Sequence, residues 1–337
     1  MKPEEFDRAV QRGEVGPLYF LYGEEQFLVD RGVKRLLDRV VDPDTRDFNF
    51  TLFYGNECSG EDIVAAAQTF PMFADRRVVL VRKGSELSAA AMESLANYVV
   101  NPSPSTCLIL QGGKADMRKK FYVELKKRGE IVEFKRPYEN QLGAFIAEET
   151  ASRGKRVEPA AAAMLAYLVG NNLLELASQL DKVVTFVGER NAIRVDDIRQ
   201  IVSDTKVDSV FELANALGER NLAKCLRCLQ TLLRDGEAPL MILAMVIRHF
   251  RQLWLVRELL DRKESPQEIS RLTGIHSFFL KGMTAQAGKY RVADFRRAFE
   301  RFYGTDLALK TGGGKPSQLM ESLIMDICSG SVTGSGH

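Results

Sequence analysis

The residues best placed for phosphate chemistry are Tyr22-Gly23-Glu24-Glu25-Gln26, a turn between a short apolar run and a helical pattern. A phosphate-binding loop at such a place uses Gly-rich backbone amides, a Lys, and a Ser or Thr. This turn has one Gly, no Lys and two carboxylates. The carboxylates would sit at the positive end of the following helix, where a phosphate belongs, and would repel it. Gly23, Glu24 and Glu25 therefore read as a degenerate phosphate loop, and no cofactor is expected. A magnesium-holding acid is missing too, because the next apolar runs end in Val81-Arg82-Lys83 and Leu110-Gln111-Gly112. The segment Thr311 to Ser317 (TGGGKPS) imitates a phosphate loop, but it follows a helical pattern, and Pro316 reads as the first residue of a last helix.

Other reactive side chains form no constellation. The chain has three His, at His249, His276 and His337. Cys225 and Cys228 make a CxxC with no second pair and no nearby His, so no metal site is expected. No nucleophile–base pair is visible, and no intrinsic catalysis is expected.

The elements that carry these residues change character along the chain. Leu18 to Tyr22, the alternating Phe48 to Tyr54, Val78 to Val81, Cys107 to Leu110 and Ile131 to Phe134 read as strands. Single helical patterns separate them: Glu24 to Val40, a helix capped by Ser59 and Asp62 and running to Gln68, Ala89 to Val99, and Met117 to Arg128. Strands alternating with helices imply a parallel sheet covered on both faces. From Gln141 onward the pattern is helical, with a break at Gly170, Asn171 and Asn172. Pro239 to Arg262 is apolar on more than one face, as in the centre of a bundle or in a subunit interface.

Length and composition set the frame. The 337 residues suggest two or three domains. A net charge of +2 excludes a chain that binds nucleic acid over its whole surface. No apolar run approaches the roughly 20 residues of a bilayer span, so no membrane association is expected. Five scattered cysteines and an acidic, amphipathic N-terminus without an apolar signal core point to the cytoplasm.

Two surface features could bind macromolecules. Lys114, Arg118, Lys119 and Lys120 head a basic segment that could touch a phosphate backbone; a solvated helix face is the plainer reading. The second feature is the tip from Gln68 through Thr69, Phe70 and Pro71 to Met72 and Phe73, where Pro71 should end the helix. Apolar residues at such a turn commonly fold under into the core. Exposed, they would make a compact anchor, with Phe as plug and Met as its adaptable neighbour.

Between about Pro17 and Cys328 the chain resembles the delta subunit of the bacterial sliding-clamp loader, part of the DNA polymerase III holoenzyme. The resemblance rests on PLYFLYGEEQFLVD, QTFPMFADRRVVLVR, GNNLLELASQLDKV and VFELANALGERNLAKCLRCLQTLLRDGEAPLMILAMVIRHFRQLW, taken in order. It implies an AAA+-like α/β domain over 1–140 with a lost nucleotide site. A helical lid over 141–207, a helical collar over 208–330 and a flexible tail over 331–337 would follow. It also implies that Met72 and Phe73, supported by Gln68, Phe70 and Pro71, enter a pocket on the beta sliding clamp and loosen one ring interface. ATPase subunits and delta-prime would be partners through the collar, with primed DNA inside the complex. Two other readings stay open: an AAA+ or P-loop ATPase motor with an atypical site, and a stand-alone DNA-binding protein.

Overall fold

The computed structural model describes residues 1–203 and 206–329. The flexible tail expected at 331–337 lies outside the described residues. The chain divides into two compact units, Met1–Arg136 and Pro137–His337.

The first unit is built on five strands: β1 (Leu18–Gly23), β2 (Phe50–Tyr54), β3 (Arg77–Arg82), β4 (Thr106–Gly112) and β5 (Glu130–Phe134). They form one sheet in the order β2-β3-β4-β1-β5, and every pairing is parallel. Side-chain alternation divides β1 between two cores. Leu18 and Phe20 pack with Ile63, Leu95, Tyr122 and Leu125 from helices Gly60–Gln68, Ala89–Val100 and Lys120–Arg128. Tyr19 and Leu21 pack with Phe6, Val29, Val33 and Leu36 from helices Pro3–Arg12 and Gln26–Val40. Helices thus cover both faces, which is why β1 and β4 read as unbroken apolar runs. This is the parallel sheet covered on both faces that the alternation of strands and helices predicts.

One strand boundary differs in a way that matters. The alternation beginning at Phe48 suggests a strand there, but Arg46–Asn49 is a helical turn and β2 starts at Phe50. The Arg77 guanidinium holds this turn against the sheet edge, donating to the Phe48 carbonyl at 2.9 Å and to Thr51 Oγ1 at 3.1 Å. Phe48 is exposed and takes no part in the sheet.

The second unit is helical from Leu142, with the addition of a two-stranded parallel sheet, β6 (Arg156–Val157) with β7 (Ala192–Ile193). Strands of two residues are too short to show any period, so the sequence reads as helical throughout. The expected break falls between helices Pro159–Val169 and Leu173–Val187, where Asn172 Oδ1 caps the second helix by accepting from the Glu175 amide at 3.2 Å.

Helix Pro239–Asp261 runs through the main core of this unit. Against the expectation that no segment could span a bilayer, it is long and apolar enough by length and composition, with a mean hydropathy of 1.3. Its apolar side chains have partners inside the unit: Phe250 meets Tyr290, Phe295 and Phe302 edge-on, and Trp254 stacks on Phe295. The helix is apolar on more than one face because neighbouring helices pack on most of it, while Leu240 and Leu255 stay exposed.

Candidate functional site

The tip grows out of helix Gly60–Gln68. Ser59 and Asp62 form the expected capping box at its start: Ser59 Oγ accepts from the Asp62 amide at 3.1 Å, and Asp62 Oδ2 accepts from the Ser59 amide at 3.4 Å. At the other end, the last carbonyls must find partners outside the helix. Thr69 Oγ1 donates to the Ala65 carbonyl at 2.8 Å, and Thr106 Oγ1, from β4, donates to the Ala67 carbonyl at 2.8 Å. Thr69 leaves the helix with ψ 131, and Pro71 has no amide to continue it.

The segment then projects its large apolar side chains outward. Phe70 is 79% exposed, Met72 50% and Phe73 86%, while Pro71 is half-buried and Gln68 is exposed at the helix end. The reading in which these residues fold under into the core is therefore wrong here. Phe73 adopts φ 56, a left-handed conformation that a bulky side chain rarely takes. Burial of such side chains elsewhere contributes about 1.5–3 kcal/mol each. That stabilisation is forgone at the tip.

Beneath the tip lies Asn49, which the sequence reading placed on a strand. It is buried (4% exposed). Its Oδ1 accepts from the Met72 amide at 2.8 Å, and its Nδ2 donates to the Met72 carbonyl at 2.7 Å and to the Thr45 carbonyl at 3.2 Å. The apolar alternation of Phe48, Phe50 and Leu52 hid this residue; no local signal distinguishes it from an outward strand residue.

The turn after β1 is polar and internally paired. Lys114 Nζ stands 2.9 Å from Glu24 Oε1, and Arg136 Nε donates to Glu25 Oε2 at 2.9 Å. The hydrogen bond from Lys114 holds the Glu24 carboxyl below its usual range and raises the Lys114 ammonium above its own. Gly23 is required here by space as well as by conformation. At φ 159, an added Cβ would stand 2.0 Å from the Phe134 carbonyl oxygen.

The four basic candidates differ in their engagement. Lys114 is committed to Glu24. Arg118 grips Asp116 through two hydrogen bonds, of 2.9 and 3.2 Å. Lys119 and Lys120 are exposed at the start of helix Lys120–Arg128, which begins three residues later than the sequence suggests.

Two further reactive residues, His249 and Cys225, are buried in the second unit. His249 is buried between Tyr167 and Gln286: its Nδ1 lies 2.9 Å from Tyr167 Oη and its Nε2 2.9 Å from Gln286 Oε1. An amide oxygen can only accept, so Nε2 carries the proton and Tyr167 donates to Nδ1. Burial pushes the His249 pKa down to about 4. Cys225 is buried with its sulfur 3.9 Å from that of Cys328, and both are free thiols. The TGGGKPS segment spans the end of helix Val292–Thr311 and the start of helix Pro316–Ser329, so it lacks the preceding strand that a phosphate loop needs.

The family model described as DNA polymerase III, delta subunit matches residues 19–135. The model of the delta subunit's C-terminal domain matches residues 207–327. The chain belongs to the delta-subunit family of DNA polymerase III. Within that family, the DNA polymerase III subunit delta of Bacillus subtilis (strain 168) is 28% identical over 330 residues, which is 95% of each chain. The probable DNA polymerase III subunit delta of Aquifex aeolicus (strain VF5) is 23% identical over 78% of this chain and 77% of its own length. The solved structure of the Bacillus subtilis DNA clamp loader delta protein covers 97% of this chain and 99% of its own, with a TM-score of 0.62 and 28% identity. Both units thus have counterparts in one solved delta subunit. The chain is accordingly a subunit of the polymerase holoenzyme, on the clamp-loader side of the assembly.

Proposed function

We propose that this delta subunit binds the beta sliding clamp through Met72 and Phe73 and opens one interface of the ring during DNA replication. The observation that carries this reading is the tip itself: Phe70, Met72 and Phe73 are exposed together on one turn that Asn49 braces from below. A plug of this kind in a partner's apolar pocket is a typical interfacial hot spot. Gln68, Phe70 and Pro71 flank the plug and shape its approach. Binding energy at the pocket then trades against the ring's own interface.

The subunit acts without chemistry of its own. The Glu24–Lys114 and Glu25–Arg136 pairs support the absence of a nucleotide site, because the cations that could meet a phosphate already meet carboxylates. ATP-binding partner subunits supply the energy; they and delta-prime join this chain through a helical collar over 208–330, which follows a lid over 141–207 and the α/β domain over 1–140 along the sequence. Primed DNA passes within the complex, where Lys119 and Lys120 are better free to touch it than Lys114 and Arg118. The work is cytoplasmic.

Ring opening is tested with a clamp carrying a fluorophore pair across one interface. Adding the full chain should lower energy transfer between the pair, and adding the Met72→Ala, Phe73→Ala variant should not. Equal opening by both proteins would overturn the assignment of the tip.

A further inference from the structure

We infer that Asn49 is a positioning residue for the clamp-binding tip, holding Met72 and Phe73 in their outward conformation before any partner arrives. The inference rests on the tip being the clamp-binding element.

A segment carrying large exposed apolar groups has an evident alternative, which is to turn inward and bury them. Something must hold the outward conformation in the free chain. Phe73 sits in a left-handed conformation at φ 56, and such a conformation persists only where its surroundings over-determine it. The loop from Thr69 to Arg76 has no regular secondary structure to do so.

Asn49 does. Its amide pairs with both backbone groups of Met72, accepting from the N–H at 2.8 Å and donating to the carbonyl at 2.7 Å. A side-chain amide offers one acceptor and two donors, and this one places its second donor on the Thr45 carbonyl at 3.2 Å. All three bonds are part-buried, and Asn49 itself is buried. The base beneath it is firm: Arg77, on β3, ties the Arg46–Asn49 turn to the sheet through the Phe48 carbonyl and Thr51. The guanidinium of Arg46 lies 4.8 Å from the ring centroid of Phe50 and steadies the same turn. Rigidity thus passes from the edge of the sheet through one side chain to the residue immediately before the plug.

This role differs from a general contribution to stability. Loss of the brace lets Met72 and Phe73 sample inward conformations, so only a fraction of molecules presents the plug. Apparent affinity falls by that fraction. If a tenth of molecules stays competent, binding weakens about tenfold. The loss appears in the association rate, with the dissociation rate little changed.

The test measures binding of the full-length chain to the cognate sliding clamp by calorimetry and stopped-flow, with amide exchange at Met72 followed in the free protein. Asn49→Ala should weaken binding about tenfold, mainly through slower association, at unchanged stoichiometry and with faster exchange of the Met72 amide. A purely structural role would instead lower the stoichiometry, by removing folded molecules, and leave the rate constants of the remainder alone; that result overturns the inference. Unchanged affinity in Asn49→Ala, alongside a large loss in Met72→Ala, Phe73→Ala, also overturns it while leaving the tip as the binding element. No loss in the tip variant itself defeats the underlying reading and this inference together. Should Asn49→Ala fail to fold, Asn49→Asp decides, since it keeps the acceptor for the Met72 amide and loses both donors. It sets a carboxylate oxygen against the Met72 and Thr45 carbonyls and should bind more weakly than the native chain; native affinity would overturn the inference.

Discussion

Two turns of the α/β unit lie at opposite ends of its parallel sheet and have opposite character. The Gly23–Gln26 turn follows β1, at the carboxyl end of the strands, where open α/β sheets ordinarily bind ligands. The loop from Thr69 to Arg76 precedes β3, at the amino end. In the first, charged groups have found partners within the chain, Lys114 for Glu24 and Arg136 for Glu25. In the second, polar backbone groups are satisfied by Asn49 while the apolar side chains are left without cover. The difference teaches where to look for function. A site whose groups satisfy one another has little left to offer a ligand, whereas a braced turn with exposed Phe and Met has its binding free energy still to release.

The sharpest way to break the comparison is to disturb the turn after β1, which should cost folding rather than activity. Gly23→Ala places a Cβ 2.0 Å from the Phe134 carbonyl at the β1–β5 pairing. It should destabilise the chain by about 3 kcal/mol or more, seen as a lower midpoint in urea. A near-native midpoint would mean that this turn is not integral to the sheet.

The helical unit offers a second internally satisfied polar group and a pH test. Burial pushes the His249 pKa to about 4, below the ordinary value near 6.5. A depressed histidine contributes stability that is present above the unfolded-state pKa. That stability is lost as pH falls from about 6.5 toward about 4, by about 3 kcal/mol at the acid end. His249→Gln should flatten this limb of the pH–stability curve; an unchanged limb would assign it to other groups.

The tip should respond in the opposite sense from Gly23. Phe73→Asn replaces a bulky residue at φ 56 with one that tolerates the left-handed region, and should raise stability by up to about 1 kcal/mol. The same substitution should weaken clamp binding. Stability and binding moving together would show that the strained plug is not the functional element. The smallest effect is expected at the acidic turn. Glu24→Gln with Glu25→Gln frees Lys114 and Arg136 but restores neither the glycines nor the Lys of a phosphate loop, so equilibrium dialysis should find no ATP binding before or after. A saturable signal in the native chain would contradict the degenerate reading.

Much of this frame was legible in the sequence for physical reasons. The strands buried on both faces, β1, β3 and β4, show as continuous apolar runs, and their observed limits exceed the expected ones by a residue or two. The Ser59–Asp62 box marked its helix because capping is a local interaction. Pairings distant along the chain were not legible. Asn49 meets Met72 across 23 positions, and Arg136 meets Glu25 across 111. The exposure of Met72 and Phe73 was equally hidden, since an apolar residue at a turn looks the same whether it faces in or out. Periodicity favoured the core for them; the family resemblance pointed outward.

The central claim is that Met72 and Phe73 are the grip on the clamp. Its most direct test is calorimetric titration of the cognate sliding clamp with the full chain and with the Met72→Ala, Phe73→Ala variant. Both side chains are exposed, so the variant should keep the native unfolding free energy within about 0.5 kcal/mol. Its clamp affinity should fall by several kcal/mol, a loss of about a hundredfold or more. A variant that binds the clamp as tightly as the native chain would contradict the account.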